Sequence, residues 1–232
     1  MLGMIALSHR RRGCVGDVGE TVLYVVRHGQ SQWNVEKRFQ GQMESPLTEK
    51  GLIQAGRAGE RLRTEGIDVI VSSDLDRAWQ TAKIIGQIVG IDPIPDARFR
   101  EVDLGAWGGL SREEVASQFP DEWEAWRAGI DVPRGGGESF RDLVRRVGPA
   151  LADVAARYRG RRVVIVSHGA AIRAMIAYVT GVDFSRIQGA LSIPNGSISV
   201  VRCGEGGGHF VSIGDTSHLD GVDEPDNAAS MT

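Results

Sequence analysis

Two histidines occupy matching positions in this sequence, each at the end of an apolar run. The segment LYVVRHG places His28 after one run, VVIVSHG places His168 after another, and a glycine follows each histidine. Open α/β sheets bind ligands at the carboxyl ends of their strands. A glycine there lets backbone N–H groups approach an anion closely, which makes Gly169 a candidate donor. The pattern therefore predicts one pocket in which two imidazoles meet.

Arginines at this predicted pocket favour an anionic ligand over a metal ion. Two histidines without a nearby carboxylate or thiolate at ligand spacing are too few for zinc or iron. Arg27, directly before His28, can hold phosphate oxygens with a permanently charged, bidentate guanidinium. Arg77 follows a third strand end by about one helical turn and can point back to the same sheet edge. Taken alone, Arg77 would more readily be a surface partner of Asp74 or Asp76.

Glu101 is the acidic residue that completes this set. It lies in FREVDLGAWGGLS, after a predicted short strand and before a chain too rich in glycine for a helix. Taken alone, it is an ordinary loop carboxylate. Placed in the pocket, its carboxylic acid could protonate a leaving alkoxide, which is the step that cleavage of a phosphate ester requires.

The composition limits the classes of protein that this chain can be. Its 232 residues are 41% hydrophobic and 25% charged, which predicts one globular domain. A net charge of -3 argues against a nucleic-acid or membrane partner. Two cysteines outside any CxxC spacing fit a reducing cytoplasm. The positive charges of the N-terminal segment follow its apolar stretch, so we expect neither a cleaved signal nor a membrane span.

Apolar runs alternate with helical periods and predict an α/β fold. Runs that are apolar on both faces indicate a mostly parallel sheet covered by helices on both sides. We expect residues 1–20 and 215–232 to be poorly ordered around one domain at 21–214. The predicted strands are Val22–Val26, Val69–Ser72, Ile91–Pro95, Arg162–Val166, Ser197–Arg202 and Phe210–Ile213. The predicted helices are Thr48–Thr64, Ser73–Val89, Glu138–Tyr158 and Ala170–Thr180.

Residues 107–138 predict a small helical cap inserted in this domain. Trp123 and Trp126 recur at helical spacing and are expected to pack within the cap. The segment ends in RGGGES, whose three glycines predict a loosely determined hinge. Local signals also predict N-caps at Thr48 and Ser73 and a capping box starting at Ser111.

Several motifs together make the sequence resemble a known family. The segments RHGQSQWN, FQGQMESPLTEKGLIQA, SSDLDRAWQTA, REVDLGAWGGLS and VVIVSHGAAIRA occur in the order and spacing of the histidine phosphatase superfamily. Within it the sequence is most similar to the phosphoglycerate mutase-like branch, from about Val22 to Arg202. The resemblance implies a three-layer α/β/α, Rossmann-like fold and a phosphohistidine mechanism that uses no metal and no cofactor.

The resemblance also implies a role for each candidate residue. His28 would be the nucleophile, Arg27 and Arg77 the phosphoryl clamp, and His168 a further donor to the phosphoryl oxygens. Glu101 would be the proton donor. For His28 to attack as a neutral imidazole, its other ring nitrogen should donate to a backbone carbonyl group.

Other residues flank this predicted pocket. Ser31 and Asn34 sit where family members touch phosphate. Further side chains either pack or influence specificity, and the sequence leaves that choice open: Trp33, Gln40, Gln42 and Trp107. A homodimer is compatible with exposed sheet edges or with the cap, although no feature requires one.

Three activities are consistent with the resemblance. Cofactor-dependent mutases of the family carry a Glu-Arg-His-Tyr-Gly type segment and a longer basic insertion. Here Glu101 is followed by VDLGAWGGLS, the compact form of the broad phosphatases, and Asp103 is expected to repel a second phosphate. We therefore predict a phosphatase acting on a small phosphorylated metabolite. A mutase-type phosphotransferase and a catalytically silent phospholigand-binding module are the alternatives.

Overall fold

A six-stranded sheet forms the centre of the protein in a computed structural model, which describes residues 19–183, 187 and 191–222. The sheet has the strand order β3-β2-β4-β1-β5-β6. Its strands are β1 Thr21–Arg27, β2 Val69–Ser72, β3 Pro93–Pro95, β4 Arg162–Ser167, β5 Ile198–Gly204 and β6 Gly207–Asp215. Most of the predicted N-terminal extension, at residues 1–18, lies outside the described residues.

The four strands at one side of the sheet are parallel, as predicted, and β5 and β6 continue it in the antiparallel direction. The central pair is β1 and β4, in which Arg27 lies opposite Ser167. The residue that directly follows each of these two strands is a histidine. The pairing register therefore brings His28 and His168 to the same edge of the sheet.

Helices cover both faces of this sheet. The helices are α1 Gln32–Val35, α2 Glu49–Leu62, α3 Asp76–Val89, α4 Arg112–Gln118, α5 Pro120–Arg127, α6 Phe140–Arg157 and α7 Gly169–Thr180. Short 3-10 helices span Ala97–Phe99, Gly105–Trp107 and Ser217–Leu219.

Alternate side chains of β1 pack into two separate cores. Leu23 and Val25 belong to the core that α6 and α7 cover, whereas Tyr24 and Val26 belong to the core beneath α2 and α3. Side chains of a strand alternate between faces, so a strand buried on both sides is apolar throughout. This arrangement confirms the predicted three-layer α/β/α class.

The cap consists of α4, α5 and the loop that leads into α6. Trp123 and Trp126 pack against Phe39 and Trp107 through ring contacts with centroids 5.2–6.4 Å apart. Trp107 is fully buried in this cluster. These three tryptophans are therefore packing residues. For Trp107, the sequence had left open whether it packs or influences specificity, and the structure shows that it packs.

The glycine run of the cap is tightly packed, in contrast to the loose hinge predicted for it. Ala106 N donates to Gly135 O and Glu138 N donates to Asp103 O. A Cβ on Gly105 would lie 2.1 Å from Gly135 O, and one on Gly137 would lie 2.3 Å from Asp103 O. Glycine is required here because two backbone segments touch.

The predicted helix starts are correct at two of three positions. Thr48 caps α2 by accepting from Gly51 N, and Ser111 forms a capping box with Glu114. Helix α3, however, begins after Leu75. Ser73 is therefore not the N-cap of α3, and the Ser73 hydroxyl group contacts His168 instead.

Regular structure extends into the segment predicted to be a polar tail. Strand β6 ends at Asp215, and the following 3-10 helix Ser217–Leu219 packs near α2. His218 Nε2 lies 3.0 Å from Gly196 O in this contact. The last ten residues lie outside the part of the chain that the structure describes.

Close contact between Gly29 and Gly51 fixes the loop that follows β1 against the first turn of α2. A Cβ on Gly51 would lie 2.1 Å from Gln30 O, whereas one on Gly56, in the same helix, would meet no atom within 4 Å. We predict that Gly51→Ala lowers the free energy of unfolding by about 1–3 kcal/mol through overpacking. Gly56→Ala, the matched control, should raise it by roughly 0.5–1 kcal/mol. Urea unfolding measures both, and equal effects of the two substitutions would contradict the contact.

Candidate active site

The two histidines face each other at the carboxyl ends of β1 and β4. Their ring centroids are 5.1 Å apart, and the side chains are 2% and 0% exposed for His28 and His168 respectively. The predicted meeting of two imidazoles in one buried place is therefore present in the structure.

One ring nitrogen of His28 is committed to the backbone. Its Nδ1 lies 2.7 Å from Gly29 O, and a carbonyl oxygen only accepts, so Nδ1 carries the proton. In the neutral ring, the lone pair is then on Nε2. The hydrogen bond predicted for a nucleophilic imidazole is therefore present, and Nε2 is the ring nitrogen that it leaves unprotonated.

His168 has the opposite arrangement. Its Nε2 lies 2.8 Å from Ser73 Oγ, and Ser73 Oγ accepts from Leu75 N. The Ser73 hydroxyl group has no other acceptor among the described residues, so its proton is directed to Nε2, and the His168 proton is then on Nδ1. That Nδ1 is buried and has no hydrogen-bond partner in the structure. It is therefore a donor available to an anion.

Arg77 is buried, which excludes the simpler interpretation as a surface residue. Its side chain is 1% exposed, and its two terminal nitrogens donate to Met43 O at 2.7 Å and Gly41 O at 2.6 Å. Asp74, a suggested surface partner, binds Arg100 instead. The guanidinium is therefore oriented by main-chain carbonyl groups, and no carboxylate forms an ion pair with it in the described structure.

Arg27 is also buried and also donates to a main-chain carbonyl group. It is 6% exposed, and its Nη1 donates to Ile193 O. The loop between the two arginines is tied together because Gly29 N donates to Thr81 Oγ1, which donates in turn to Arg77 O. Both predicted cations thus belong to one connected site.

Glu101 lies at the start of α7, beside the same group of residues. It is 3% exposed, and its carboxyl oxygens accept from Val102 N, Ala170 N and Ala171 N at 3.0–3.2 Å. Gly169 N, the remaining donor of this helix turn, has no acceptor among the described residues. Gly169 is therefore placed, as predicted, where its N–H can meet an anion.

Arg146 supports Glu101 from the backbone side and was not found by sequence reasoning. Its Nη2 donates to Glu101 O at 3.0 Å and to Glu138 Oε2 at 2.7 Å. Gln42 Nε2 also donates to Glu101 O, at 3.2 Å. In the sequence, Arg146 is one of several arginines in α6, and nothing distinguishes it.

Polar side chains form a network on the β1 side of the site. Ser31 is fully buried, and its hydroxyl lies within hydrogen-bonding distance of Asn34 Oδ1 and Gln40 Oε1. Asn195 Nδ2 donates to Asn34 Oδ1 and to His28 O. Since these contacts occupy the amide oxygens, Nδ2 of Asn34 and Nε2 of Gln40 are the ends that can donate to an anion.

This network adds two residues to the site. The hydrogen bonds of Ser31 indicate that it positions Asn34 and Gln40, and the phosphate contact predicted for Ser31 stays a prediction. Gln40 was predicted only as a flanking residue. Asn195 follows a proline in a turn and carries no motif signal that could have identified it.

The electrostatic environment keeps both imidazoles neutral. Burial, then the guanidinium of Arg77, lowers the pKa of His28 well below its usual value, and Arg27 adds to this effect. The same two leading causes, with further contributions from His28 and Arg27, lower the pKa of His168. Among the residues that the structure describes, no three histidine, cysteine or acidic side chains are grouped as a metal site would require. None of the described helices is long and apolar enough to span a membrane.

Comparisons with known proteins give one consistent family. Residues 23–216 match the family model described as histidine phosphatase superfamily, branch 1. A protein of Enterobacter sp. (strain 638), named probable phosphoglycerate mutase GpmB, is 42% identical over 208 residues, which cover 85% of this chain and 94% of that protein.

Solved structures show the same fold. Bacillus stearothermophilus YhfR is 32% identical with a TM-score of 0.80, covering 86% of this chain and 99% of its own. A mycobacterial glucosyl-3-phosphoglycerate phosphatase, solved with VO3, is 31% identical with a TM-score of 0.77, covering 84% and 99% respectively. The similarity extends over nearly the whole described chain.

The lowered pKa values of His28 and His168 predict a loss of stability in acid. Because the unfolded state takes up these protons first, the stabilisation is complete above the unfolded pKa near 6.5 and decreases as the pH falls below it. Each histidine should contribute about 1.4 kcal/mol per pH unit in that range.

Urea unfolding between pH 7.5 and pH 5.5 measures this effect. The free energy of unfolding of the parent should fall more steeply than that of a His28→Asn/His168→Asn double variant, by up to about 3 kcal/mol. His209→Asn, at an exposed position, is the control and should leave the slope unchanged. Identical slopes for parent and double variant would contradict neutral imidazoles.

Proposed function

The chain belongs to branch 1 of the histidine phosphatase superfamily, and from this premise we propose that it hydrolyses a small phosphate monoester through a phosphohistidine on His28, without a metal ion. The observation that carries the proposal is the hydrogen bond from His28 Nδ1 to Gly29 O. It directs the Nε2 lone pair of a neutral imidazole into a site lined by Arg27, Arg77 and the Nδ1–H of His168.

In the first step, His28 Nε2 attacks phosphorus and the bond from phosphorus to the ester oxygen breaks. The two guanidinium groups and the His168 donor stabilise charge on the equatorial oxygens, as a loose phosphoryl-transfer transition state requires. Glu101 gives its proton to the leaving oxygen, so the alcohol departs neutral. The products of this step are the alcohol and the phosphohistidine.

In the second step, water attacks the phosphohistidine. Glu101, now a carboxylate, accepts a proton from the water as its oxygen bonds to phosphorus. The N–P bond breaks, and His28 returns as the neutral imidazole. One ester and one water have then become one alcohol and one inorganic phosphate.

A phosphatase is favoured over a phosphoglycerate mutase by the segment after Glu101. Glu101 is followed by VDLG in place of a Glu-Arg-His-Tyr-Gly type segment, and residues 103–106 pack directly on residues 135–138. The similar mycobacterial protein is named as a phosphatase, whereas the similar Enterobacter protein is named as a mutase. Asp103 is exposed and accepts from Gly105 N, and its repulsion of a second phosphate stays a prediction.

A catalytically silent phospholigand-binding module is the less favoured candidate. Such a module would be expected to lack the nucleophile or part of the clamp. Here each predicted catalytic side chain is present, buried and in the same site: His28, Glu101, Arg27, Arg77 and His168.

The charge and the cysteine content of the chain indicate where the reaction takes place and what the partner is. The partner would be a small phosphorylated metabolite, not a nucleic acid or a membrane, in accordance with the slightly negative net charge of the chain. Cys14 and Cys203 have no CxxC spacing and do not require an oxidising compartment, and we propose a cytoplasmic location.

A phosphatase assay over a panel of phosphorylated metabolites tests the proposed function. We predict phosphate release that EDTA does not reduce and that His28→Ala lowers by at least roughly 10³-fold, because covalent catalysis is lost. His209→Ala is the matched control and should behave as the parent.

Two outcomes would contradict this prediction. Activity that disappears with EDTA would show that a metal ion takes part. Conversion of 3-phosphoglycerate to 2-phosphoglycerate that is stimulated by 2,3-bisphosphoglycerate and outpaces phosphate release would show a mutase.

A further inference from the structure

The guanidinium group of Arg134 is buried, and binding of the phosphoryl group does not explain why. It lies in the cap loop between α5 and α6, where Pro133 is exposed and Gly135 is half-buried. The Arg134 side chain is only 2% exposed and therefore points inward. Its Nη2 is buried, and within the described structure its guanidinium has no hydrogen bond or ion pair.

This lack of a partner distinguishes Arg134 from the other arginines near Glu101 and the histidines. Carbonyl oxygens bind Arg77, and Glu138 together with carbonyl oxygens binds Arg146. Burial of a cation without an acceptor is costly, and buried polar groups are nearly always satisfied. An acceptor that the chain itself does not supply is therefore expected at Arg134.

The loop places Arg134 on the leaving-group side of the reaction. Its backbone runs along the segment that follows Glu101, with Ala106 N donating to Gly135 O at 2.9 Å and Gly137 N turning back to Arg134 O at 2.9 Å. Burial lowers the pKa of Arg134. Three nearby carboxylates raise it in part, and Glu101 has the largest effect, followed by Asp131 and Glu138. Since Glu101 protonates the ester oxygen, its neighbour in the cap lies beside the alcohol portion of the substrate.

We propose, on the basis of the function proposed above, that Arg134 binds a carboxylate on the leaving group, so that the preferred substrates are phosphate esters of hydroxy acids. One guanidinium matches the single negative charge of a carboxylate and can bind it with two parallel hydrogen bonds. A second phosphate would bring about two negative charges to one cation that already lies near three carboxylates, which is unfavourable. Arg134 is thus a specificity residue, separate from the phosphoryl clamp.

The test compares two esters that differ only at the position of this carboxylate, 3-phosphoglycerate and glycerol 3-phosphate. We expect the parent to favour 3-phosphoglycerate in kcat/KM and Arg134→Met to lower that preference by about 10- to 100-fold, the usual effect of a charge-assisted hydrogen bond. Arg134→Lys should restore part of it. Arg127→Met, at an exposed cap position paired with Glu124, is the matched control and should keep the parent ratio.

A structural role would give a different result. If Arg134 only supports the cap, Arg134→Met should lower the thermal midpoint and reduce activity on both esters equally. A ratio of kcat/KM values that equals that of the parent overturns the proposal, whatever the absolute rates. If Arg134→Met keeps the thermal midpoint of the parent and lowers the ratio of kcat/KM for the two esters, the result supports the carboxylate site.

Binding measurements separate failure of this proposal from failure of the proposed function. Calorimetry on His28→Ala protein should show tighter binding of 3-phosphoglycerate than of glycerol 3-phosphate, and His28→Ala/Arg134→Met should lose the difference. If no phosphate is released but this difference is present and depends on Arg134, the carboxylate site stands and the phosphatase proposal fails. If 3-phosphoglycerate binds no more tightly than glycerol 3-phosphate, or does not bind, the carboxylate site is refuted.

Discussion

Parallel pairing of β1 with β4 in a fixed register is the constraint on which the rest of the site depends. Because Arg27 lies opposite Ser167, the residues that follow are two histidines whose rings come within 5.1 Å of each other. A slip of one residue would move the side chains of β1 to the opposite face and separate the rings. The two apolar cores resist this slip, since each alternate side chain of β1 is buried in one of them.

Main-chain groups orient the charged residues of the site. Carbonyl oxygens accept hydrogen bonds from Arg27 and Arg77, and N–H groups donate to Glu101. A carboxylate partner would compete with a phosphate for Arg77, whereas a carbonyl oxygen leaves its positive charge available. The cations in turn help to keep the imidazoles neutral, so that one can attack and the other can donate. The site is preorganised in the sense that its dipoles are fixed before substrate arrives.

Much of this arrangement could be predicted because it is encoded by local patterns. Runs of apolar residues identify the strands. The carboxyl ends of parallel strands lie at one end of the sheet, which places Arg77 and both histidines close together. The hydrogen bond from His28 to a backbone carbonyl group could also be predicted, because a neutral imidazole nucleophile needs its other ring nitrogen to carry the proton. Ser73 was misassigned, since an N-cap and a histidine partner look alike in sequence.

Residues that depend on long-range packing could not be found in this way. Asn195 reaches the site from a turn 167 positions after His28, and Arg146 reaches the Glu101 carbonyl group from α6, 45 positions away. The glycine run of the cap looks flexible in sequence, although two backbones meet there. Arg134 belongs to the same class, because its burial without a partner is visible only in three dimensions.

Identification of the phosphohistidine isomer is the most direct test of the account. Parent protein is mixed with a hydrolysed ester, quenched in alkali within milliseconds and digested, and the phosphorylated residue is mapped by mass spectrometry and assigned by ³¹P NMR. We expect phosphate on Nε2 of His28, because Nδ1 is bound to Gly29 O. Phosphate on Nδ1, or on any residue other than His28, would contradict it.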